Sequence, residues 1–345
     1  MDSSLTKYDI ALLRGDGIGP ELAHSANLLL EAISANSAAK FDIEKIDAGD
    51  EALSRFGKAM PDHALEAIKK SDACLKGPVG ESAADVVLVL RQTMDLYANV
   101  RPVKSYPNLK AISDTIDLII VRENTEDLYL GWEFEADDNT VISLRRTSER
   151  ASRRIAEYAF STCTLRNKKK RVVAVHKANV LRRGDGLFAR TCRIVSKNFP
   201  EIEFTEQYVD ACAMNLIRNP DDYDVILTTN LFGDILSDEA IQVAGSIGMG
   251  PACNIGDEFG LFEPVHGAAF DIAGKNIANP SSILLSSKLM LEWLGEKNGD
   301  TVVIEEAQKV EYAIRKLLTE NKKTIDIGGN LSTVEFTRAV IDLMY

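Results

Sequence analysis

Short apolar runs alternate with segments of helical periodicity along most of the chain. The apolar runs predict strands at residues 8–15, 41–49, 72–78, 118–124, 171–177, 202–210 and 224–230. Helical spacing predicts helices at residues 20–35, around 60–70 and within 230–240. Strands and helices that alternate in this way indicate an α/β architecture. No internal repeat or long Pro/Ser linker interrupts the pattern, so tethered modules are not expected.

Length and composition narrow the class of protein. A chain of 345 residues is long enough for about two domains, and its hydrophobic content of 45% is ordinary for a globular protein. The formal net charge of −12 disfavours non-specific binding to nucleic acid or anionic membranes. An acidic substrate would therefore have to be attracted by a local group of basic side chains.

The cysteine pattern and the start of the chain bear on the compartment. The five cysteines are scattered and form no C-x-x-C pair, which disfavours a disulfide framework or a thiolate zinc site. The first residues show no secretory signal pattern, and no apolar run reaches the length of about 18 residues that a spanning helix needs. These features predict a cytoplasmic protein.

The segment NLFGDILSDEA places Asp234 and Asp238 four positions apart on one face of a predicted helix. Two carboxylates at this spacing repel each other unless a positive charge lies between them. Mg²⁺ is usually held by one or two carboxylates together with substrate oxygens. Taken alone, such a pair is more often a solvated acidic face, so the interpretation depends on the rest of the chain.

The glycine-rich segment GDGIGPE lies between a predicted strand and a predicted helix, at residues 15–21. It does not satisfy the G-x-G-x-x-G pattern of dinucleotide-binding loops, and no Walker motif follows. Pro20 suits the first turn of a helix, where its missing N–H costs nothing. The segment by itself predicts only a tight turn from strand to helix.

Three arginines lie where an anionic substrate could be bound. Arg91 falls in a helix-like segment, Arg101 precedes a proline, and Arg122 ends a predicted strand. Arginine binds carboxylates through two parallel hydrogen bonds, which suits a di- or tri-acid, although any single arginine is more often part of a surface ion pair. Tyr129 follows closely and could serve as a general acid, or could be an ordinary half-buried tyrosine.

Two more charged side chains end predicted strands. Lys177 lies at the end of the strand 171–177, where a lysine near a metal-bound hydroxyl could act as a base. Asp210 ends the strand 202–210 and could supply a third carboxylate to a metal. These positions complete a candidate set for metal-assisted chemistry.

Six segments in this order carry a resemblance that covers essentially the whole chain. They are GDGIGPE, LRQTMDLYANVRP, VRENTEDLY, VHKANVLRRGDGLF, TTNLFGDILSDEA and EPVHGAAFDIAGKNIANP. Together they resemble the β-decarboxylating dehydrogenases of the isocitrate/isopropylmalate dehydrogenase family. The resemblance implies a two-domain α/β fold with an interdomain cleft, which is not a Rossmann fold. One domain would comprise residues 1–97 plus 246–345, and the other residues 98–245, with the metal ligands and the dimer interface.

Position by position, the resemblance implies roles for three sets of side chains. The arginines that bind substrate carboxylates would be Arg91, Arg101 and Arg122. The catalytic acid and base would be Tyr129 and Lys177. The ligands of Mg²⁺ or Mn²⁺ would be Asp210, Asp234 and Asp238. The resemblance also implies a homodimer, possibly assembled into a tetramer, in which Lys177 and Asp210 serve the neighbouring subunit's site.

The resemblance further implies that a nicotinamide cofactor is bound by the loop after residue 265. The cofactor contacts would be Ile18, His266, Gly267, Asp271, Ile272 and Asn279. Family members that prefer NADP carry a basic residue and a tyrosine at the positions of Asp271 and Ile272. An aspartate accepts hydrogen bonds from a ribose 2′-hydroxyl and repels a 2′-phosphate, which favours NAD. Asp271 could also cap a helix that begins at DIAGK.

The predicted reaction is the oxidative decarboxylation of a 2-hydroxy acid that carries a β-carboxylate. Val87 and Leu88 share a helix face with Arg91 and would meet the variable part of the substrate. A buried unpaired carboxylate costs several kcal/mol, whereas an isopropyl group gains about 0.8 kcal/mol per buried carbon. These apolar side chains therefore favour 3-isopropylmalate, the substrate of leucine biosynthesis, although the family's glutamate of that pocket falls near Ala84.

Alternative functions remain open at this point. Val87 and Leu88 could be plain core contacts, in which case an NAD-dependent isocitrate or homoisocitrate dehydrogenase is the next candidate, and D-malate or tartrate as substrate is hard to exclude. A non-catalytic regulatory subunit is a different class, but such paralogues lose catalytic side chains that this chain retains. A two-domain binding protein is disfavoured by the Asp234 and Asp238 pair.

Overall fold

The structure is a computed structural model that describes residues 6–83 and 85–345, so Ala84 lies outside the described residues. Its strands are β1 Lys7–Leu13, β2 Lys40–Ile46, β3 Ala73–Lys76, β4 Ala98–Lys104, β5 Asp117–Glu123, β6 Glu133–Asp137, β7 Thr140–Ser143, β8 Arg171–His176, β9 Glu203–Tyr208, β10 Val225–Thr228, β11 Pro251–Ile255 and β12 Gly260–Pro264. Its helices are α1 Gly19–Asn36, α2 Asp50–Phe56, α3 Asp62–Lys70, α4 Asp85–Thr93, α5 Glu149–Arg166, α6 Gly184–Ser196, α7 Val209–Arg218, α8 Asn230–Val243, α9 Ser281–Asn298, α10 Thr301–Thr319 and α11 Thr333–Met344.

One sheet of ten strands runs through the molecule in the order β2-β1-β3-β12-β11-β4-β5-β10-β8-β9. The outer strands pair in parallel, while β11 is antiparallel to both β12 and β4, and β4 is antiparallel to β5. The five strands on one side of the sheet come from the two ends of the chain. The five strands on the other side come from its middle. The predicted α/β architecture is confirmed.

Helices cover both faces of the sheet in an uneven way. On one face, α1, α5, α6, α9, α10 and α11 pack over a single continuous apolar core. On the other face, the apolar core is split in two, with α3 and α4 over one half and α7 with α8 over the other. The gap between these two groups forms a cleft above the central strands. None of the helices in the described ranges is long and apolar enough to cross a membrane.

The predicted strands are present, but their bounds differ, and β4, β11 and β12 were not predicted. Asp210 lies in the first turn of α7, because the predicted strand 202–210 ends as β9 at Tyr208. The segments β4, β11 and β12 carry Asn99, Arg101, Asn254 and Glu263 in otherwise apolar runs, and all four side chains are buried. Polar side chains inside a strand weaken the apolar pattern by which strands are recognised.

Candidate active site

A cavity of about 910 Å³ opens in the cleft between α4 and α8. Its floor is formed by the central strands, and the loop after β12 closes one side. The predicted site residues that line it are Val87, Leu88, Arg91, Arg101, Arg122, Tyr129, Asp234, His266 and Gly267. The cleft thus gathers the predicted substrate arginines, the predicted acid, one predicted metal ligand and the start of the predicted cofactor loop.

The two arginines on the central strands contact the two aspartates of α8. Arg101 donates from Nη1 to Asp238 at 2.9 Å and from Nη2 to Asp234 at 3.1 Å. Arg122 donates from Nη1 to the same Asp234 oxygen. Burial would raise the pKa of Asp234, but Arg122 and Arg101 lower it on balance, while burial raises the pKa of Asp238. Asp234 is therefore the firmly ionised member of the pair.

Arg122 is the most deeply placed of the arginines, since none of its side chain is exposed. Its Nε donates to Asn230 at 2.9 Å, but Nη2 has no hydrogen-bond acceptor within the described residues. Burial and the nearby Arg101 lower the pKa of Arg122 to about 10, so the guanidinium keeps its charge at neutral pH. A buried donor without an acceptor costs free energy, and a bound carboxylate would supply the missing acceptor.

A polar network that sequence reasoning missed holds Arg91 in place. Asn254 accepts from Arg91 Nε at 3.0 Å and donates to Glu263 at 2.8 Å. Glu263 also forms an ion pair of 2.9 Å with Lys76, and both side chains line the cavity. Burial would raise the pKa of Glu263, but Lys76 and Arg91 lower it to about 2. One feature of the sequence could have indicated this network. Lys76 is a lysine inside the apolar run of the predicted strand 72–78.

Tyr129 approaches the aspartates from a single helical turn at Leu128–Leu130. Its hydroxyl donates to Asp234, and the Arg122 guanidinium lies 4.9 Å from the centre of its ring. Burial raises the pKa of Tyr129 above its usual value. The hydroxyl therefore keeps its proton at neutral pH and has the geometry of a proton donor facing the cavity.

Lys177 and Asp210 form a pair of their own, separate from the cavity lining. Lys177 Nζ donates to Asp210 at 2.5 Å, and this hydrogen bond lowers the pKa of Asp210. Within residues 6–83 and 85–345, no three His, Cys, Asp or Glu side chains are grouped closely enough to hold a metal ion. The single chain thus does not bring Asp210 together with Asp234 and Asp238.

The glycine-rich loop fixes the far side of the cleft by close backbone contacts. Gly15 has a φ of +69°, and a Cβ there would lie 2.0 Å from the carbonyl oxygen of Pro78. Gly17 has a φ of +57°, and a Cβ there would lie 2.0 Å from the carbonyl oxygen of Ala268. The Ile18 amide donates to that oxygen at 2.8 Å. The glycine-rich loop is therefore a tight turn whose backbone packs directly against the predicted cofactor loop.

The other predicted cofactor residues fall into two groups. His266 and Gly267 line the cavity, whereas Asp271, Ile272 and Asn279 do not. Burial lowers the pKa of His266, which lines the cavity as a neutral imidazole. Asp271 is exposed in the short turn Phe270–Ile272, and it caps no helix because α9 begins only at Ser281. Asn279 is buried and donates to Asp326 at 3.0 Å. The helix-cap interpretation of Asp271 is therefore wrong, since Asp271 lies inside a turn that ends at Ile272.

Comparisons with known proteins agree with this geometry. The chain matches the family model for isocitrate/isopropylmalate dehydrogenase over residues 9–340. It is 49% identical to a 3-isopropylmalate dehydrogenase of Sulfurisphaera tokodaii, over 94% of this chain and 96% of that protein. A 3-isopropylmalate dehydrogenase of Archaeoglobus fulgidus is 47% identical, over 97% of this chain and 99% of that protein.

A solved structure carries the same fold. The crystal structure of isocitrate dehydrogenase from Methylococcus capsulatus matches with a TM-score of 0.90 and 36% identity, covering 98% of this chain and 99% of that chain. The fold and the enzyme class that the six segments predicted are thereby confirmed. The chain belongs to the isocitrate/isopropylmalate dehydrogenase family, whose members are β-decarboxylating dehydrogenases.

Proposed function

We propose that this enzyme converts 3-isopropylmalate to 4-methyl-2-oxopentanoate and CO₂, with NAD as the hydride acceptor and a divalent cation, in leucine biosynthesis. The observation that carries the proposal is the buried Arg122 nitrogen without an acceptor, in a cavity that Arg91 and Arg101 also line. Three guanidinium groups around one cavity suit the two carboxylates of a substituted malate. The names of the relatives at 47–49% identity support the same substrate.

The apolar wall of the cavity supports an isopropyl substituent. Val87 and Leu88 line the cavity on the α4 face that also carries Arg91. Both are only partly buried, and neither belongs to the apolar core beneath α4, which takes Val86 and Leu90 instead. Their side chains are therefore available to a ligand, and contact with an apolar group would gain about 0.8 kcal/mol per buried carbon.

The donor set on α8 suits a divalent cation. Asp234 and Asp238 would hold Mg²⁺ or Mn²⁺ through carboxylate oxygens, and Asp210 from a second copy of the chain would complete the set. When bound, the cation supplies Lewis-acid polarisation of the substrate's C2 hydroxyl oxygen. Burial raises the pKa of Asp238, and a bound cation would oppose that shift because a nearby positive charge favours the ionised carboxylate.

The chain's own side chains move the protons. Lys177 of the second copy would assist transfer of the C2 hydroxyl proton to a neighbouring carboxylate or water, while a bound nicotinamide would accept the C2 hydride. The resulting β-keto acid loses CO₂, and the electron pair of the broken carbon–carbon bond remains as an enolate. Tyr129 then donates its phenolic proton to the enolate carbon. The raised pKa of Tyr129 ensures that this proton is present at neutral pH.

NAD is the proposed cofactor form because of the charge at the edge of the loop. Asp271 is exposed there and would accept hydrogen bonds from a ribose 2′-hydroxyl, whereas a 2′-phosphate would meet like charge. Ile18, Gly267 and Ile272 would line the nucleotide path, with Asn279 near the adenine. We further propose that residues 1–97 plus 246–345 move as one domain against residues 98–245, in a cytoplasmic homodimer that could assemble further.

Turnover on a panel of acids tests the proposal. NADH formation with Mg²⁺ should give a kcat/KM for 3-isopropylmalate that is at least about tenfold above isocitrate, homoisocitrate and D-malate, because the other acids lack the apolar substituent. NADP should be a poorer acceptor than NAD. A preference for isocitrate would contradict the assignment of Val87 and Leu88 while leaving the chemistry intact. No turnover of any acid would contradict the catalytic proposal and favour a regulatory subunit.

A further inference from the structure

A buried charge cluster lies behind the catalytic residues and is not part of the cavity lining. Arg145 Nη1 donates to Asp185 at 2.8 Å, and Nη2 donates to Asp127 at 3.0 Å. Arg145 Nε also donates to Asp127, and Nη2 donates to the Thr229 hydroxyl at 2.8 Å. The side chains of Asp127 and Asp185 are almost completely buried. One guanidinium therefore joins two buried carboxylates that are 58 residues apart in the chain.

Each carboxylate of the cluster holds backbone of an element that carries a catalytic side chain. Asp185 accepts the backbone N–H of Lys177 at 2.6 Å. Asp127 accepts the N–H of Leu128 at 2.9 Å, at the start of the turn that presents Tyr129. Asp127 also accepts the N–H of Leu231 at 3.1 Å, in the first turn of α8, upstream of Asp234. The cluster thus contacts the turn that carries Tyr129, the helix that carries Asp234 and Asp238, and the backbone of Lys177.

The backbone of Asp127 gives a second reason to assign the cluster a role. Asp127 has a φ of +75°, a conformation that a residue other than glycine rarely adopts. Such residues persist only where the surroundings hold them, and they concentrate at functional sites. Here the holding contacts are the two hydrogen bonds from Arg145 and the backbone hydrogen bond of 3.0 Å from Asp127 N to the Arg146 oxygen.

We propose that Arg145 is a positioning residue that holds Tyr129 and the α8 aspartates of one active site, together with the backbone of Lys177, which serves the neighbouring subunit's site. The inference rests on the proposed function of those residues. The planar fork of an arginine can serve both carboxylates and the hydroxyl at once, whereas a lysine ammonium cannot reproduce that geometry. Arg145 also directly follows the β6–β7 hairpin, so the same side chain fixes the base of that hairpin to the catalytic elements.

The test compares Arg145→Lys with Arg153→Lys, a matched change at an exposed arginine that pairs with Glu149 on the surface of α5. Arg145→Lys should lower kcat about 10- to 100-fold, since a displacement of about 1 Å at catalytic groups can cost that much. The KM for the acid should change less than about threefold, because the arginines that bind substrate lie outside the cluster. Arg153→Lys should change neither constant.

Amide hydrogen exchange of the same variants gives a readout that needs no turnover. Exchange at Leu128, Lys177 and Leu231 should quicken in Arg145→Lys and stay unchanged in Arg153→Lys, because those amides donate to the cluster. A fall in thermal midpoint with unchanged kcat per folded protein would overturn the inference and leave a structural role alone. So would unchanged exchange at the three amides. An inactive wild-type enzyme would refute the proposed function, while the exchange data would still decide what Arg145 holds.

Discussion

The floor of the cleft and the pair of Lys177 and Asp210 differ in how deeply their charged side chains are buried. The floor carries Arg101 and Arg122, whose side chains are 8% and 0% exposed and whose hydrogen-bond partners lie in the same chain. The pair of Lys177 and Asp210 stands apart from the cavity, and the Asp210 side chain is 67% exposed. The floor is fixed before any ligand arrives, whereas the pair is held by its own ion pair and by the contact of Lys177 Nζ with the Tyr208 ring, 5.8 Å away.

This difference in burial matches the two proposed roles, substrate recognition at the floor and proton transfer at the Lys177 and Asp210 pair. A buried arginine has already been desolvated, so a carboxylate that reaches it meets a strong and directional donor. An exposed ion pair contributes little free energy and reorganises easily. The floor therefore has the properties of a binding site that one chain completes. The Lys177 and Asp210 pair lies outside that site, and its proposed role depends on a second copy of the chain.

The largest effect should come from the side chains that move protons. Tyr129→Phe and Lys177→Met should each lower kcat by about 10²–10⁴, the usual contribution of a general acid or base. Tyr312→Phe removes a hydroxyl from an exposed tyrosine far from the cleft and should leave kcat unchanged. Steady-state kinetics at saturating 3-isopropylmalate and NAD measure all three variants.

Mixing the two inactive variants then tests whether the site is shared. If Lys177 serves the neighbouring subunit, a mixed dimer of Tyr129→Phe and Lys177→Met chains contains one intact site. Random assortment makes half of the dimers mixed, so co-expressed chains should recover about a quarter of the wild-type activity. Recovery near zero would show that Lys177 acts within its own chain, and the contrast between the two regions would lose its main consequence.

A smaller effect is expected at the floor. Arg122→Lys keeps the charge but loses the fork that binds a carboxylate, and it should lower kcat/KM by about 10²-fold, near 3 kcal/mol. The loss should appear for every acid in the panel, because the arginines contact the part that the acids share. Arg171→Lys, at an exposed arginine that pairs with Glu203, is the matched control. A fall in kcat/KM confined to 3-isopropylmalate would mean that Arg122 contacts the isopropyl substituent rather than the part that the acids share.

The sequence was most informative where chemistry is local. Asp234 and Asp238 lie one turn apart on α8, and helical periodicity alone puts them on one face. The parallel strands β8 and β10 were recognised because their residues are mostly apolar and almost all buried. These features need no knowledge of what lies elsewhere in the chain.

The strands β4, β11 and β12 and the buried polar clusters could not be recognised in this way. Asn254 joins Arg91, Asn99 and Asn124 at distances of 2.8–3.0 Å, although these partners are between 130 and 163 residues away. The same holds for Arg145 and Asp185, which no local pattern connects. Side chains of this kind point inward to a polar site, so they resemble loop residues in a hydropathy pattern. The proposed role of Asp210 as a metal ligand depends on a second copy of the chain, so no local pattern in the sequence indicates its place.

The smallest effect concerns the pH dependence of stability at the buried Lys76 and Glu263 pair. The pKa of Glu263 is lowered from its usual value of 4.5 to about 2, with burial opposed by Lys76 and Arg91. A carboxyl group whose pKa is lower in the folded chain stabilises the fold at any pH above its pKa in the unfolded chain. This stabilisation is lost as the pH falls from about 4.5 toward 2. Between pH 7 and pH 4 the loss from this group should be about 1 kcal/mol.

The variant that isolates this term removes both charges, because Glu263→Gln alone would leave Lys76 buried without a partner. Lys76→Met with Glu263→Gln should therefore lose about 1 kcal/mol less of its unfolding free energy than the wild type over that pH range, measured by urea titration. Arg171→Met with Glu203→Gln removes an exposed pair and should follow the wild type closely. If the unfolding free energy of both double variants changed equally with pH, the buried network would respond to acid no differently from a surface ion pair. The cleft floor would then owe its rigidity to packing and hydrogen bonds rather than to charge.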